Sequence, residues 1–464
     1  MTGFKEIQTS GGIREYRMTS NGLTVLLMED HSAPVATIMV TYLVGSRNEA
    51  IGYTGATHLL EHLMFKGSET YNKENDNAIW TLLQNIGAQI NATTWLDRTN
   101  YFEMLPSEHL ETAIAIEADR MRRALLRDDD RQPEMTVVRN EFERGENDPF
   151  DTLDKNIWAT AYQAHPYHHS TIGWKSDIEG VSTERLRAFY NTYYWPNNAT
   201  VTVIGDFKTA VALSWIKTYF GQHPASPDPI PEMYTTEPKQ EGPRRFIIKR
   251  AGETGIVGVA HKTPEGRHKD KYALAVLSNI LGTGKTSIFY RALVDKGLAT
   301  SASVGDHPFH DNGLLITYAF LTPATAHQKV EKIILDGYGK IMEGGVTAEE
   351  VQRAQAQISA DVAFSRDGSY SIASSLNEAI ATGDWTYYTT YLDHLQAVTA
   401  DDVQRIAQTY LLEDQSTTGW FVPQPKDGAA GGGGAADTAK ANAARPGQHR
   451  SYGRLGALAQ PWAL

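Results

Sequence analysis

The sequence predicts an α+β protein made of two similarly folded α/β halves, and three observations carry the prediction. The chain has 464 residues, about three times the roughly 150 of a common single domain, so one core is too few. Residues 181–193 (Val-Ser-Thr-Glu-Arg-Leu-Arg-Ala-Phe-Tyr-Asn-Thr-Tyr) lie on residues 398–410 (Val-Thr-Ala-Asp-Asp-Val-Gln-Arg-Ile-Ala-Gln-Thr-Tyr) without a gap at an offset of 217, the mark of an internal repeat. Between Pro224 and Pro243 six prolines fall in 20 residues, a density that neither helix nor central strand tolerates.

The elements follow in order. Residues 23–28 and 35–44 are apolar runs rich in β-branched side chains and read as strands, with residues 30–34 as the turn between them. Helical patterns come next. Each copy of the repeat is a capped amphipathic helix that runs into a strand, over 199–204 in the first copy and 416–422 in the second. The chain therefore divides into an N-terminal domain over 1–223, a Pro-rich linker over 224–243, a C-terminal homologous domain over 244–424 and a low-complexity tail over 425–464. The tail is rich in Gly, Ala and Pro, buries too little apolar surface to order itself, and is expected to be a flexible arm.

Composition excludes several classes of function. Hydrophobic residues make up 41% and charged residues 21%, as in an ordinary globular protein. The 43 Lys and Arg against 55 Asp and Glu leave a formal net charge of −12, which repels phosphate backbones, so no nucleic-acid partner is expected. With no cysteine, disulfides, thiolate metal sites and a cysteine nucleophile are impossible, and any metal must be held by His, Asp or Glu. The longest mostly apolar run, residues 35–44, has ten residues against about 20 for a bilayer span, so a soluble protein is expected. The first residues show no apolar export segment; the expected compartment is periplasmic if an export signal was removed and cytoplasmic otherwise.

The chemistry concentrates in Thr57-His58-Leu59-Leu60-Glu61-His62-Leu63-Met64-Phe65. On a helix, His58 and His62 are one turn apart on one face, so two imidazoles can converge on one cation. Glu61 stands at the rim of that face, where a carboxylate could take a proton from water. Leu59, Leu60, Leu63 and Met64 would anchor the helix in the core. Zinc needs a third protein ligand. Residues 134–141 supply Glu134 and Glu141 two turns apart on one helix face, with Val137 and Val138 between them, but Glu143 and Glu146 lie nearby and spacing does not choose among them.

These residues resemble a family, the inverted-motif (His-x-x-Glu-His) zinc metallopeptidases of pitrilysin, insulysin and mitochondrial processing peptidase. The resemblance runs from about residue 22 to 422 and rests on Gly45-Ser46-Arg47-Asn48-Glu49, on the His-x-x-Glu-His helix with Phe65-Lys66-Gly67, on Gly87-Ala88-Gln89-Ile90-Asn91-Ala92, on the downstream Glu pair, and on His165-Pro166-Tyr167 with Ile172-Gly173. It implies that each half is an antiparallel-rich sheet carrying helices and that the chain forms half of a clamshell. It implies that His58, His62 and Glu141 bind Zn2+, that Glu61 is the general base, and that Glu134 is a second acid supporting the site. It also implies that the strand carrying Asn91 and Ala92 pairs with an extended peptide substrate, with Thr93 where an aromatic often stands.

The second half reads as metal-free. The 217 offset lays His58, Glu61 and His62 on Ala275, Ser278 and Asn279. Residues 282–287 suggest a phosphate loop, but Asn279 stands where that motif wants glycine, so a helix-ending turn is expected. Family members that complete the site with their second half carry an Arg and, seven residues on, a Tyr after this turn; Leu293 and Thr300 stand there, unless Arg291 or Tyr290 serves instead. The chain thus resembles the zinc-carrying subunit of a two-chain bacterial enzyme whose homologous partner supplies the Arg and Tyr. The alternative is a catalytically inactive structural or processing-complex subunit, whose mark would be loss of the ligands retained here. His165, His168 and His169 are expected to pack a loop rather than hold a second metal, and Asp97, Arg98 and Thr99 are expected to be structural.

Overall fold

The computed structural model describes residues 2–425, so nearly all of the tail expected over 425–464 lies outside the described residues. The strands of the first half are β1 (Phe4–Ser10), β2 (Ile13–Met18), β3 (Thr24–Glu29), β4 (Val35–Tyr42), β5 (Gln89–Thr94), β6 (Thr99–Pro106) and β7 (Ala199–Gly205). Those of the second half are β8 (Arg244–Ala251), β9 (Ile256–Lys262), β10 (Ala299–Asp306), β11 (Leu314–Leu321) and β12 (Ser416–Gln424). The first sheet has the order β1-β2-β3-β7-β4-β6-β5 and the second β10-β11-β9-β12-β8. Each sheet is antiparallel except for one parallel pair, β3 with β7 and β8 with β12. Read from β3 onward, the first order is the second reversed: the repeat seen at one helix extends to five strands of each half. The first half adds the β1–β2 hairpin beyond β3.

The two apolar runs at 23–28 and 35–44 are strands, but they do not pair with each other. β7, more than 150 residues later, inserts between them, parallel to β3 and antiparallel to β4. All seven residues of β7 are buried, as a strand covered on both faces requires.

The helices of the first half are α1 (Ala56–Leu63), α2 (Ile79–Asn85), α3 (Leu110–Arg123), α4 (Asp128–Asn147), α5 (Pro149–Ala161), α6 (Lys175–Gly180), α7 (Thr183–Tyr193) and α8 (Thr209–Phe220). In the second half they are α9 (Asp270–Gly282), α10 (His327–Gly344), α11 (Ala348–Ser365), α12 (Ser369–Thr382), α13 (Thr386–Gln396) and α14 (Ala400–Tyr410). The repeated helices α7 and α14 start on Ser182 and Thr399, whose side-chain oxygens each accept the backbone N–H three residues on, satisfying one of the donors that a helix N-terminus leaves without an acceptor.

Two helices are exchanged between the halves. α5 leaves the first sheet and packs on β12, β9 and β8, while α12, its counterpart in the repeat, packs on β4, β7 and β6. Leu153 and Ile157 of α5 share a core with Ile256, Ala260 and Phe421. Met39, Phe102 and Ile204 of the first sheet share one with Ile372 and Leu376 of α12. Neither sheet is therefore covered by its own half alone. No helix among the described residues is long and apolar enough to cross a membrane.

Two outcomes follow from the exchange. Leu153→Ala, at a side chain with no exposure, costs about 2–5 kcal/mol and shifts one unfolding transition shared by circular dichroism and tryptophan fluorescence; two separate transitions would mean that the halves do not share cores. Asp154, on α5, is raised to about 6 by burial, against the hydrogen bond from Tyr318. A carboxyl raised in the folded state stabilises fully below about pH 4, its unfolded value, and that contribution is lost as pH rises through about 6. Asp154→Asn should flatten the pH dependence of the denaturant midpoint between pH 4 and 7; an unchanged slope would contradict this assignment.

Candidate metal centre

α1 is only eight residues long, so propensity alone does not hold it in place. Leu59, Leu60, Leu63 and Met64 are all essentially buried and fix one face. Its N-terminus is held by a residue outside the helix: the Glu49 carboxylate accepts the backbone N–H groups of Gly55 at 2.8 Å and Thr57 at 2.7 Å. Gly55 has φ +84° and a Cβ there would stand 2.4 Å from the Ile172 carbonyl oxygen, so only glycine admits that approach. Gly45 meets the β5–β6 turn as closely: a Cβ would lie 2.3 Å from the Leu96 carbonyl oxygen, while the Ser46 and Arg47 N–H groups donate to Trp95 and Leu96. The segment 45–49 thus ties the metal-motif helix to the edge of the first sheet.

On this frame His58 and His62 face one point. Their Nε2 atoms are 3.3 Å apart, and Glu141 Oε2, from α4, lies 3.7 Å from the first and 3.9 Å from the second. Ligands about 2.0–2.1 Å from a tetrahedral ion lie roughly 3.3–3.5 Å from one another, so two imidazole nitrogens and one carboxylate oxygen fit zinc with little adjustment. Among the described residues this is the one group of three such side chains whose ligand atoms lie within 4.8 Å of one another. Glu143 and Glu146 turn elsewhere, the first to Lys175 and the second to Lys155 and Arg250. Val138 is buried under α4 and Val137 is 44% exposed, so one of the two valines faces the core.

A second layer orients the first. Glu134, two turns before Glu141, accepts a hydrogen bond from His62 Nδ1 at 2.8 Å and pairs with Lys66. That leaves His62 Nε2 as the lone-pair end, the arrangement a ligating histidine needs. Burial would raise Glu134, but the His62 and Lys66 hydrogen bonds outweigh it and hold the carboxyl below its usual value. Burial, with His62 beside it, brings His58 down to about 3, so it stays neutral. For His62 burial is outweighed by Glu134, Glu61 and Glu141, and its value rises. Burial also raises Glu141.

Glu61 is 8% exposed. Burial raises it, opposed by His62, by a hydrogen bond from Thr94 and by Arg98. That bond, Thr94 Oγ1 to Glu61 Oε2 at 2.6 Å, comes from the last residue of β5, the edge strand of the sheet. Asn91 is exposed on the same strand and Ala92 is buried; the Ala92 N–H donates to Asn91 Oδ1 at 2.9 Å. Thr93 turns to the opposite face from Thr94 and bonds Arg98 and Asn100. Sequence reasoning overlooked Thr94, Lys66 and Glu49 as supports. Strand alternation from Ala92 to Thr94 was the available signal for the first; Glu49 and Lys66 act through contacts that no spacing rule announces.

His165, His168 and His169 pack a loop, with His168 Nδ1 3.2 Å from the His165 carbonyl and His169 Nδ1 3.2 Å from the Ser170 carbonyl. His165 Nδ1 accepts the Tyr167 N–H at 3.2 Å and its Nε2 lies 3.1 Å from Asp311. Asp97 accepts the Tyr167 hydroxyl at 2.6 Å and the His310 N–H at 2.9 Å, and Arg98 pairs with Glu378 on α12. Both residues join the halves. In the second half, Ala275, Ser278 and Asn279 lie on α9, the helix corresponding to α1, and offer no ligand set.

The chain was compared with known proteins. Residues 24–175 match the insulinase family, peptidase family M16, and residues 180–358 match the peptidase M16 inactive domain. Zinc protease PqqE of Helicobacter pylori is 31% identical over 408 residues, spanning 87% of this chain and 91% of that protein. Mitochondrial-processing peptidase subunit beta of Lentinula edodes is 24% identical over 89% of this chain and 91% of its own length. The crystal structure of a protease from Helicobacter pylori superimposes with a TM-score of 0.84 at 29% identity, covering 89% of this chain and 99% of that one. With the inverted motif on α1, a second homologous half without ligands, and relatives matched along most of their length, the chain belongs to the insulinase family of peptidases, M16.

Proposed function

We propose that this chain is a zinc-dependent endopeptidase that hydrolyses extended or unfolded peptides, and that it is the zinc-carrying subunit of a heterodimer. The observation that carries the hydrolytic reading is the convergence of His58, His62 and Glu141 within 4.8 Å, with Glu61 buried beside them on the same helix. The name zinc protease borne by the Helicobacter pylori relative supports it.

In this reading His58 Nε2, His62 Nε2 and Glu141 Oε2 hold Zn2+. Zinc in such a set lowers the pKa of a water it binds and polarises a carbonyl oxygen. Glu61 takes the proton of the attacking water and passes it to the leaving amine nitrogen, and its burial keeps that carboxyl basic enough for the task. Glu134 supports the site by fixing the His62 ring through Nδ1. Asn91 and Ala92, on an edge strand with no neighbour beyond it among the described residues, would contact the peptide main chain. A strand added at an edge must itself be extended, which selects unfolded segments over folded domains.

The heterodimer reading rests on the second half. Leu293 is fully buried on the turn over Tyr290–Val294, and Thr300, exposed on β10, donates to the Phe320 carbonyl. Neither can act as the Arg or Tyr that closes the site in single-chain members, so a homologous partner subunit would supply both. A relative named as a subunit, the Lentinula edodes protein, is consistent with this.

Elemental analysis should find about one zinc per chain in wild type, Glu143→Ala and Glu146→Ala, and roughly tenfold weaker retention or worse in Glu141→Ala; equal retention in Glu141→Ala would remove it from the ligand set. Glu61→Gln should keep its zinc and lose about 10²–10⁴-fold in peptide hydrolysis. Hydrolysis unchanged in that variant would sink the general-base assignment. Assayed by itself, the purified chain should turn over slowly and accelerate when the partner subunit is added; full activity of the chain alone would refute the heterodimer.

A further inference from the structure

Resting on the peptidase reading, we propose that Thr94 is the positioning residue of Glu61 and that it ties the base to the strand on which the peptide lies. Thr94 Oγ1 donates to Glu61 Oε2 at 2.6 Å. A threonine hydroxyl has a single proton to give, so this bond commits it to the carboxyl group and fixes the direction in which that group points. His62 and Arg98 act on Glu61 by charge.

The location of Thr94 gives the bond a second consequence. It is the last residue of β5 and lies two residues after Ala92, so both side chains face α1, while Asn91 and Thr93 face the other way. A peptide added along the β5 edge takes its register from the β5 backbone, and the base takes its orientation from a side chain of that backbone. The hydrogen bond thus adds a direct link between the base on α1 and the strand that sets the peptide register. β5 is itself tied to α1 through the Gly45 approach to the Trp95 and Leu96 carbonyls, so the loop after Thr94 keeps the donor in reach.

The test compares wild type, Thr94→Val and Thr94→Ser, each zinc-loaded and with the partner subunit present, by steady-state kinetics on an unstructured peptide, by zinc content, and by crystal structures. Valine keeps the shape and removes the donor. The expected result is a kcat lower by roughly 10- to 100-fold in Thr94→Val, with KM and zinc content unchanged, a Glu61 carboxylate turned away from its wild-type orientation, and kcat in Thr94→Ser within about threefold of wild type because the hydroxyl returns. A Glu61 that keeps its orientation in Thr94→Val, or an unchanged kcat, would overturn the proposal. A wild type that hydrolyses nothing would instead count against the peptidase reading, and the crystal structures would still decide whether Thr94 holds Glu61.

Discussion

A buried carboxylate at the head of a short helix is the interaction on which the site depends. Glu49 accepts two of the backbone N–H groups that open α1, groups that an eight-residue helix cannot satisfy internally. Its own segment lies flat against the β5–β6 turn because Gly45 has no side chain to prevent it. One loop therefore sets the helix that carries His58, Glu61 and His62 relative to the strand that carries Asn91, Ala92 and Thr94. Without that tether, the 3.3 Å approach of the two imidazoles and the Thr94 bond to Glu61 would each have to be found by packing alone.

Glu141, the third member of the candidate ligand group, comes from a helix that leads into one packed on the sheet of the other half. α4 leads directly into α5, and α5 packs on the second sheet. Arg98 with Glu378, and Asp97 with the loop around His310, cross in the other direction. The second half, which brings no side chain to the His58, His62 and Glu141 group, thus braces the elements that carry it. Removing that half would strip α12 from the first sheet and leave α5 without the sheet on which it packs.

Much of this was legible in the sequence. His58, Glu61 and His62 stand out because helical periodicity is local and the motif is compact; the repeat at 181–193 and 398–410 announced two halves with one topology. That Glu141, rather than Glu143 or Glu146, stands beside His58 and His62 was not legible from spacing, because it depends on how α4 lies against α1. The insertion of β7 between β3 and β4 was hidden for a related reason: apolar runs identify strands without naming their partners. The exchange of α5 and α12 left no local trace at all, since an amphipathic helix reads the same whichever sheet it covers. Thr94 was within reach of strand alternation, but only once α1 was known to lie across that face.

The central claim is that zinc sits between α1 and α4 and that a peptide lies along β5 beside Glu61. Anomalous diffraction at the zinc edge from crystals of Glu61→Gln grown with an unstructured peptide tests it most directly. The account predicts one peak bonded to His58 Nε2, His62 Nε2 and Glu141 Oε2, with peptide main chain added to the free edge of β5. A peak held by other residues, no peak at all, or a peptide bound away from β5 would contradict it.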